Sequence, residues 1–233
     1  MGKQTNYQDL LKLGAIVTMV VDHLGGYFFP EMMALRMVGR YAMPIFGFFV
    51  GYNFKNSVNF YILFYGVILY LVSTIFIIES FFPANILISL FLGQLYLSLF
   101  QKQFYSLTKG WLHFIILVIL SPFASYLFDY GSLVIGIIII GYMVKAKSID
   151  LKIAAFVIAY VSLLHTVVNF SDLSKANLLF CGVVAIMVYL SLSYGNFEKK
   201  VALNISPITR HALLIYCLHI LIIEFIWRYY YVG

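Results

Sequence analysis

Asp22 and His23 stand side by side just past the middle of the first apolar stretch, LLKLGAIVTMVVDHLGGYFF. Arg36 and Arg40 follow four residues apart in the second, MMALRMVGRYAMPIFGFFVG, on one face of a helix. A carboxylate beside an imidazole suggests proton transfer near neutral pH, and two guanidinium groups suggest stabilisation of a bound or developing negative charge. An ionisable group inside a membrane span costs several kcal/mol unless it is paired or hydrated, so these four residues are the first candidates for function. At a rise of about 1.5 Å per residue, Asp22 and His23 fall about 4 to 5 Å to the outer side of the midplane, with Arg40 at similar depth. Pro44 lacks a backbone donor for the Arg40 carbonyl, which predicts a bend there. Two consecutive helices joined by a tight turn pack side by side and bring the four groups together. An Asp22 to Arg40 ion pair that only locks two helices accounts equally for the spacing. Two arginines against one carboxylate nevertheless leave excess positive charge, which an anionic ligand group would neutralise.

Further polar groups fall towards the same outer side. Glu79 ends the third stretch, Asp129 precedes the sixth, and His165 with Asn169 closes the seventh. Asp129 is expected to favour a helix N-terminus. His219 lies alone in the apolar run LLIYCLHILII, where a packed core histidine and a catalytic one are both admissible. Glu224 and Arg228 have the spacing of a local ion pair. His113 and His211 fall at inner helix ends, where cap or headgroup contacts suffice. Cys181 and Cys217 lie in apolar segments without CxxC spacing and read as packing residues. HExxH, GxSxG and GxxxxGK[ST] do not occur, so zinc proteolysis, a nucleophile elbow and P-loop chemistry have no support, and no metal is expected.

The elements that hold these residues must be membrane helices. The 233 residues are 63% hydrophobic and 10% charged, with mean hydropathy +0.97, which no soluble core accommodates. The apolar stretches are continuous rather than alternating, which disfavours a β-barrel. A span uses about 20 residues, and Gly, Pro and charged residues divide the chain into about nine: residues 10–29, 32–51, 58–78, 83–100, 111–128, 130–144, 151–168, 176–194 and 212–231. Numbering the loops alternately puts Lys3, Lys12, Lys55, Lys102, Lys109, Lys145, Lys147, Lys152, Lys199, Lys200 and Arg210 on one side, and only Lys175 and Arg228 on the other. The positive-inside rule then sets the N-terminus inside and the C-terminus outside, in a cell membrane, with the bacterial cytoplasmic membrane favoured. The same rule explains the net charge of +6 without nucleic acid. The expected protein is an all-α, polytopic helical membrane protein with one domain, residues 1–233. Its first apolar stretch reads as a retained helix rather than a cleaved leader. The sixth stretch is short for a bilayer, about 20 Å at 1.5 Å per residue.

The sequence Asp22-His23-Leu24-Gly25-Gly26, with Leu35-Arg36, Gly39-Arg40, Pro44-Ile45-Phe46 and Gly51-Tyr52, resembles the signature of the TraX family. Asp129-Tyr130-Gly131 and Leu214-Ile215-Tyr216 with His219 support it, while the middle of the chain agrees only in hydropathy. The family takes its name from a conjugation protein that acetylates the N-terminus of F-type pilin. More distantly, the pattern is similar to membrane acetyltransferases that carry acetyl from cytoplasmic coenzyme A to a sugar amine across the bilayer. The resemblance implies an integral-membrane acetyltransferase with acetyl-CoA as acyl donor and, as acceptor, the amine of an exported protein or peptide. It implies His23 and Asp22 as catalytic residues. Arg36, Arg40, Asp129, His165 and His219 would bind substrate or the oxyanion. A proton-coupled anion transporter and a non-catalytic assembly factor of a secretion or conjugation apparatus are the competing readings. The odd span count, without paired broken helices, argues against the transporter.

Overall fold

A computed structural model describes residues 5–77, 83–170 and 174–232, so Lys3 and Glu79 lie outside the described residues. Among the described residues the regular structure is helical, with two isolated β-bridges and no named strand. The α-helices are α1 (Tyr7–Phe28), α2 (Met33–Gly39), α3 (Ala42–Tyr52), α4 (Phe60–Ile77), α5 (Ile86–Phe100), α6 (Leu107–Ala124), α7 (Leu133–Lys145), α8 (Leu151–Asn169), α9 (Lys175–Ser193), α10 (Ser206–Arg210) and α11 (Ala212–Trp227). Six of the described segments are long and apolar enough to cross a membrane: Tyr7–Phe28, Met33–Tyr52, Leu107–Ala124, Leu151–Asn169, Lys175–Ser193 and Ala212–Tyr230. Phe60–Thr74 and Leu133–Lys145 are shorter apolar helices. Helices suit this setting because each satisfies its own backbone groups where no water can.

The chain divides into two compact units, Met1–Phe46 with Ala155–Gly233 and Gly47–Ala154, with the divisions inside α3 and α8. In the second unit α7 packs against α5 and α6, and α4 packs against α5. Residues Ile137–Ile140 of α7 have no solvent exposure, and a helix buried all round reads as uniformly apolar. The shortness of this segment goes with its place at the centre of the unit. It begins after a tight turn in which Tyr130 and Gly131 take φ of 62° and 54°, with Ser132 as N-cap. Asp129 lies ahead of that turn instead of at the cap. Its backbone N–H donates to the Ala84 carbonyl at 2.9 Å, and its own carbonyl accepts from Ser89 Oγ at 3.2 Å. His113 in the same unit is held on both ring nitrogens, at 2.8 Å by Gln103 Oε1 and at 2.5 Å by Tyr96 Oη. Both ring nitrogens of His113 are thus engaged within the protein.

In the first unit α1 packs against α2, α10 and α11, and α2 packs against α9. A capping box starts α1: Asn6 Oδ1 accepts from the Asp9 N–H at 3.0 Å, and Asp9 Oδ2 accepts from the Asn6 N–H at 3.2 Å. The same end is tied to the chain before α11. Tyr7 N–H donates to the Lys199 carbonyl, Thr5 Oγ1 accepts from the N–H groups of Ile205 and Ser206, and Thr209 Oγ1 donates to Asp9 Oδ1 at 3.0 Å. These bonds hold α1 and α11 in register along their length. His211 stands between α10 and α11 without a side-chain capping bond.

Candidate active site

The second apolar stretch breaks between Gly39 and Ala42, where the sequence predicts a bend. The last turn of α2 tightens, with the N–H groups of Arg40 and Tyr41 donating three residues back to Met37 and Val38. Pro44, in the first turn of α3, leaves the Arg40 carbonyl without its usual helical donor. The break follows Arg40, whose torsions are still helical, so Arg36 and Arg40 both reach towards Asp22.

Close approach of α1 and α2 depends on missing side chains. A Cβ at Gly39 would lie 2.1 Å from Asp22 Cβ, and one at Gly26 would lie 2.3 Å from Arg36 Nη1. The Asp22 side chain therefore rests on Gly39, and the Arg36 guanidinium lies across Gly26. Asp22 is 7% exposed. Its Oδ1 is 3.2 Å from Arg36 Nε and 3.9 Å from Arg40 Nη2, and Arg36 Nη1 also donates to the Asp22 carbonyl at 3.4 Å. Among the described residues, one buried carboxylate thus faces two guanidinium groups. Arg40 also lies over the Phe170 ring, 5.0 Å from its centroid, a cation-π contact at the end of α8.

His23 faces another helix. Its Nδ1 is 2.8 Å from Nε2 of His219 on α11, and His219 Nδ1 is 2.9 Å from the Ile215 carbonyl. Tyr216 presents a tilted edge to both imidazoles, with centroids 6.1 Å from His23 and 5.6 Å from His219. One turn further along α11, the buried Glu224 accepts from Tyr27 Oη at 3.3 Å, so the carboxylate expected to serve Arg228 reaches α1.

Asp22, His23, Arg36, Arg40 and His219 are thus brought together in the first unit. His165 lies in the same unit on α8, and its carbonyl accepts from Asn169 Nδ2 at 2.7 Å. Beside Arg40 a small cavity is lined by Met37, Ser162, Thr166, Cys181 and Val188, among others. Both cysteines are free and buried. Asp129 belongs to the second unit. The sequence reading missed Phe170 and the bond between the histidines. Phe170 carries no signal in a chain with 22 phenylalanines, whereas an intramembrane histidine such as His219 is itself a signal. Among the described residues no group of three or more His, Cys, Asp or Glu is placed to hold a metal ion. Chemically, the site offers an imidazole base and two cations next to one another.

A bundle of long apolar helices with buried ionisable groups on facing helices defines a multi-pass membrane protein. The TraX protein family model matches residues 7–227, and the chain belongs to the TraX family. It is 38% identical to an uncharacterized protein of Rickettsia prowazekii (strain Madrid E), over 98% of this chain and 95% of that one. No solved structure matches the chain.

Proposed function

We propose that this protein is an integral-membrane acetyltransferase. It would move an acetyl group from cytoplasmic acetyl-CoA to an amine at the outer side of the membrane, the N-terminus of an exported protein or peptide. Family membership supports the reading, and the observation that carries it is the placement of a hydrogen-bonded imidazole beside two guanidinium groups that share one carboxylate. The acceptor amine attacks the thioester carbonyl, so a C–N bond forms as the C–S bond breaks. His23 takes the amine proton and returns it to the departing thiolate. Arg36 and Arg40 stabilise the oxygen that becomes negative, and Asp22 holds both guanidinium groups in place. A pantetheine arm reaching in from the basic side would bring the thioester to this depth while the nucleotide stays at the surface. The proposed topology has nine spans in a bacterial cytoplasmic membrane, N-terminus inside and C-terminus outside.

The test is direct. Purified protein in detergent is mixed with acetyl-CoA and peptides bearing free α-amines, and products are read by mass spectrometry. Peptides gaining one acetyl group, with release of free coenzyme A thiol, support the proposal. Proton-coupled anion uptake into vesicles, without acetylation of any peptide or sugar amine, would replace it with a transporter.

A further inference from the structure

The two histidines are 196 positions apart in the chain, yet their hydrogen bonds assign each ring proton. The Ile215 carbonyl has no proton to give, so the 2.9 Å contact requires one on His219 Nδ1. A neutral His219 then presents a bare Nε2, which can only accept. The 2.8 Å contact to His23 Nδ1 is made by a proton on that atom. His23 is left with Nε2 as its basic nitrogen. Carbonyl, His219 and His23 form one directional chain, and a group that fixes a base's tautomer from behind is the usual partner of a catalytic imidazole.

We infer that His219 is the positioning residue of the transfer reaction, fixing His23 in the Nδ1–H tautomer so that Nε2 takes the acceptor's proton. This rests on the acetyltransferase reading above. When His23 Nε2 is protonated, its Nδ1–H becomes a charge-assisted donor and the bond to His219 shortens and strengthens. The interaction is therefore worth more in the transition state than in the resting site, which raises turnover without tightening substrate binding. Tyr216, edge-on to both rings, limits how far either can swing.

Two readouts test the inference. In protein labelled with 15N-histidine, with signals assigned from His23→Ala and His219→Gln, the N–H···N bond gives a nitrogen–nitrogen coupling between His23 Nδ1 and His219 Nε2, and the basic nitrogen of His23 is Nε2. Kinetically, His219→Leu removes the acceptor and lowers kcat about 100-fold, within the range of general-base effects, at unchanged KM for acetyl-CoA. His219→Gln, whose side-chain oxygen can occupy the place of Nε2, recovers turnover to within about 10-fold of the parent. A basic Nδ1 on His23, absent coupling, or equal losses in the Leu and Gln variants would overturn the inference. Absence of any acyl transfer by the parent protein would sink the acetyltransferase reading and with it the catalytic role of His219, while the coupling still decides the tautomer.

Discussion

Replacing Gly39 by alanine tests the closeness of α1 and α2. The added Cβ would lie 2.1 Å from Asp22 Cβ and 2.4 Å from its Cγ. Carbon atoms rest at about 3.5 to 4.0 Å, so the helices must part by about 1.5 Å or the Asp22 side chain must leave its seat. Either movement carries Asp22 Oδ1 out of reach of Arg36 Nε, now 3.2 Å away. Overpacking of this kind costs about 1 to 3 kcal/mol. For a chain of this size, about 2 kcal/mol corresponds to a drop of about 4 to 8 °C in thermal midpoint. Gly182→Ala is the control, because a Cβ at Gly182 in α9 meets nothing within 4 Å. Midpoints for both variants can be measured in the same detergent by the burial of Cys181 and Cys217 against a thiol-reactive dye. If Gly39→Ala melts with Gly182→Ala and the parent, and retains parental activity, the helices are not pinned through Asp22 and Gly39.

Other perturbations separate structure from chemistry. His113→Phe leaves Gln103 and Tyr96 without their shared partner; thermal melts should show a loss of about 1 to 3 kcal/mol while transfer by the surviving folded protein keeps its kcat. Thr209→Val removes the bond to Asp9 and should lower stability by about 1 kcal/mol, with faster hydrogen exchange at the start of α1 in mass spectrometry. Arg40→Lys keeps the charge but loses the planar group that faces both Asp22 and the Phe170 ring, and turnover assays should show it to be no rescue of Arg40→Gln. Gly131→Ala must hold a left-handed φ of 54° with its Cβ 2.5 Å from the Ser121 carbonyl oxygen. Its melting point should fall further than that of Tyr130→Ala, where the parent residue already carries a Cβ at φ 62°.

The readable part of the fold was the part written in local terms. Runs of Leu, Ile, Phe and Val between charged loops locate the helices, because length and apolarity are one-dimensional quantities. Pro44 located the break in the second stretch because the missing N–H acts within one turn. The carboxylate and two arginines were legible because adjacent helices joined by a short turn have few ways to pack. What escaped depended on distance along the chain. His219 looks the same in sequence whether it is packed in isolation or bonded to His23, and their register rests on contacts between α1 and the chain's last segment, among them Thr209 with Asp9 and Tyr27 with Glu224. The sequence also paired Asp22 with His23 as neighbours, yet consecutive residues on a helix point about 100° apart, so the carboxylate faces α2 and the imidazole faces α11. Glycines 26 and 39 entered the sequence reading as parts of a signature. Their contacts give them a physical reason, since each receives the functional side chain of the other helix.

The measurement that bears most directly on the central claim is acetyl transfer across a sealed bilayer. Vesicles reconstituted with the protein are given acetyl-CoA on the side of the lysine-rich loops and an amine-bearing peptide on the other. The account predicts acetylated peptide on the far side with the parent protein, and none above background with a folded His23→Ala variant. Parental yields of acetylated peptide from His23→Ala would contradict it.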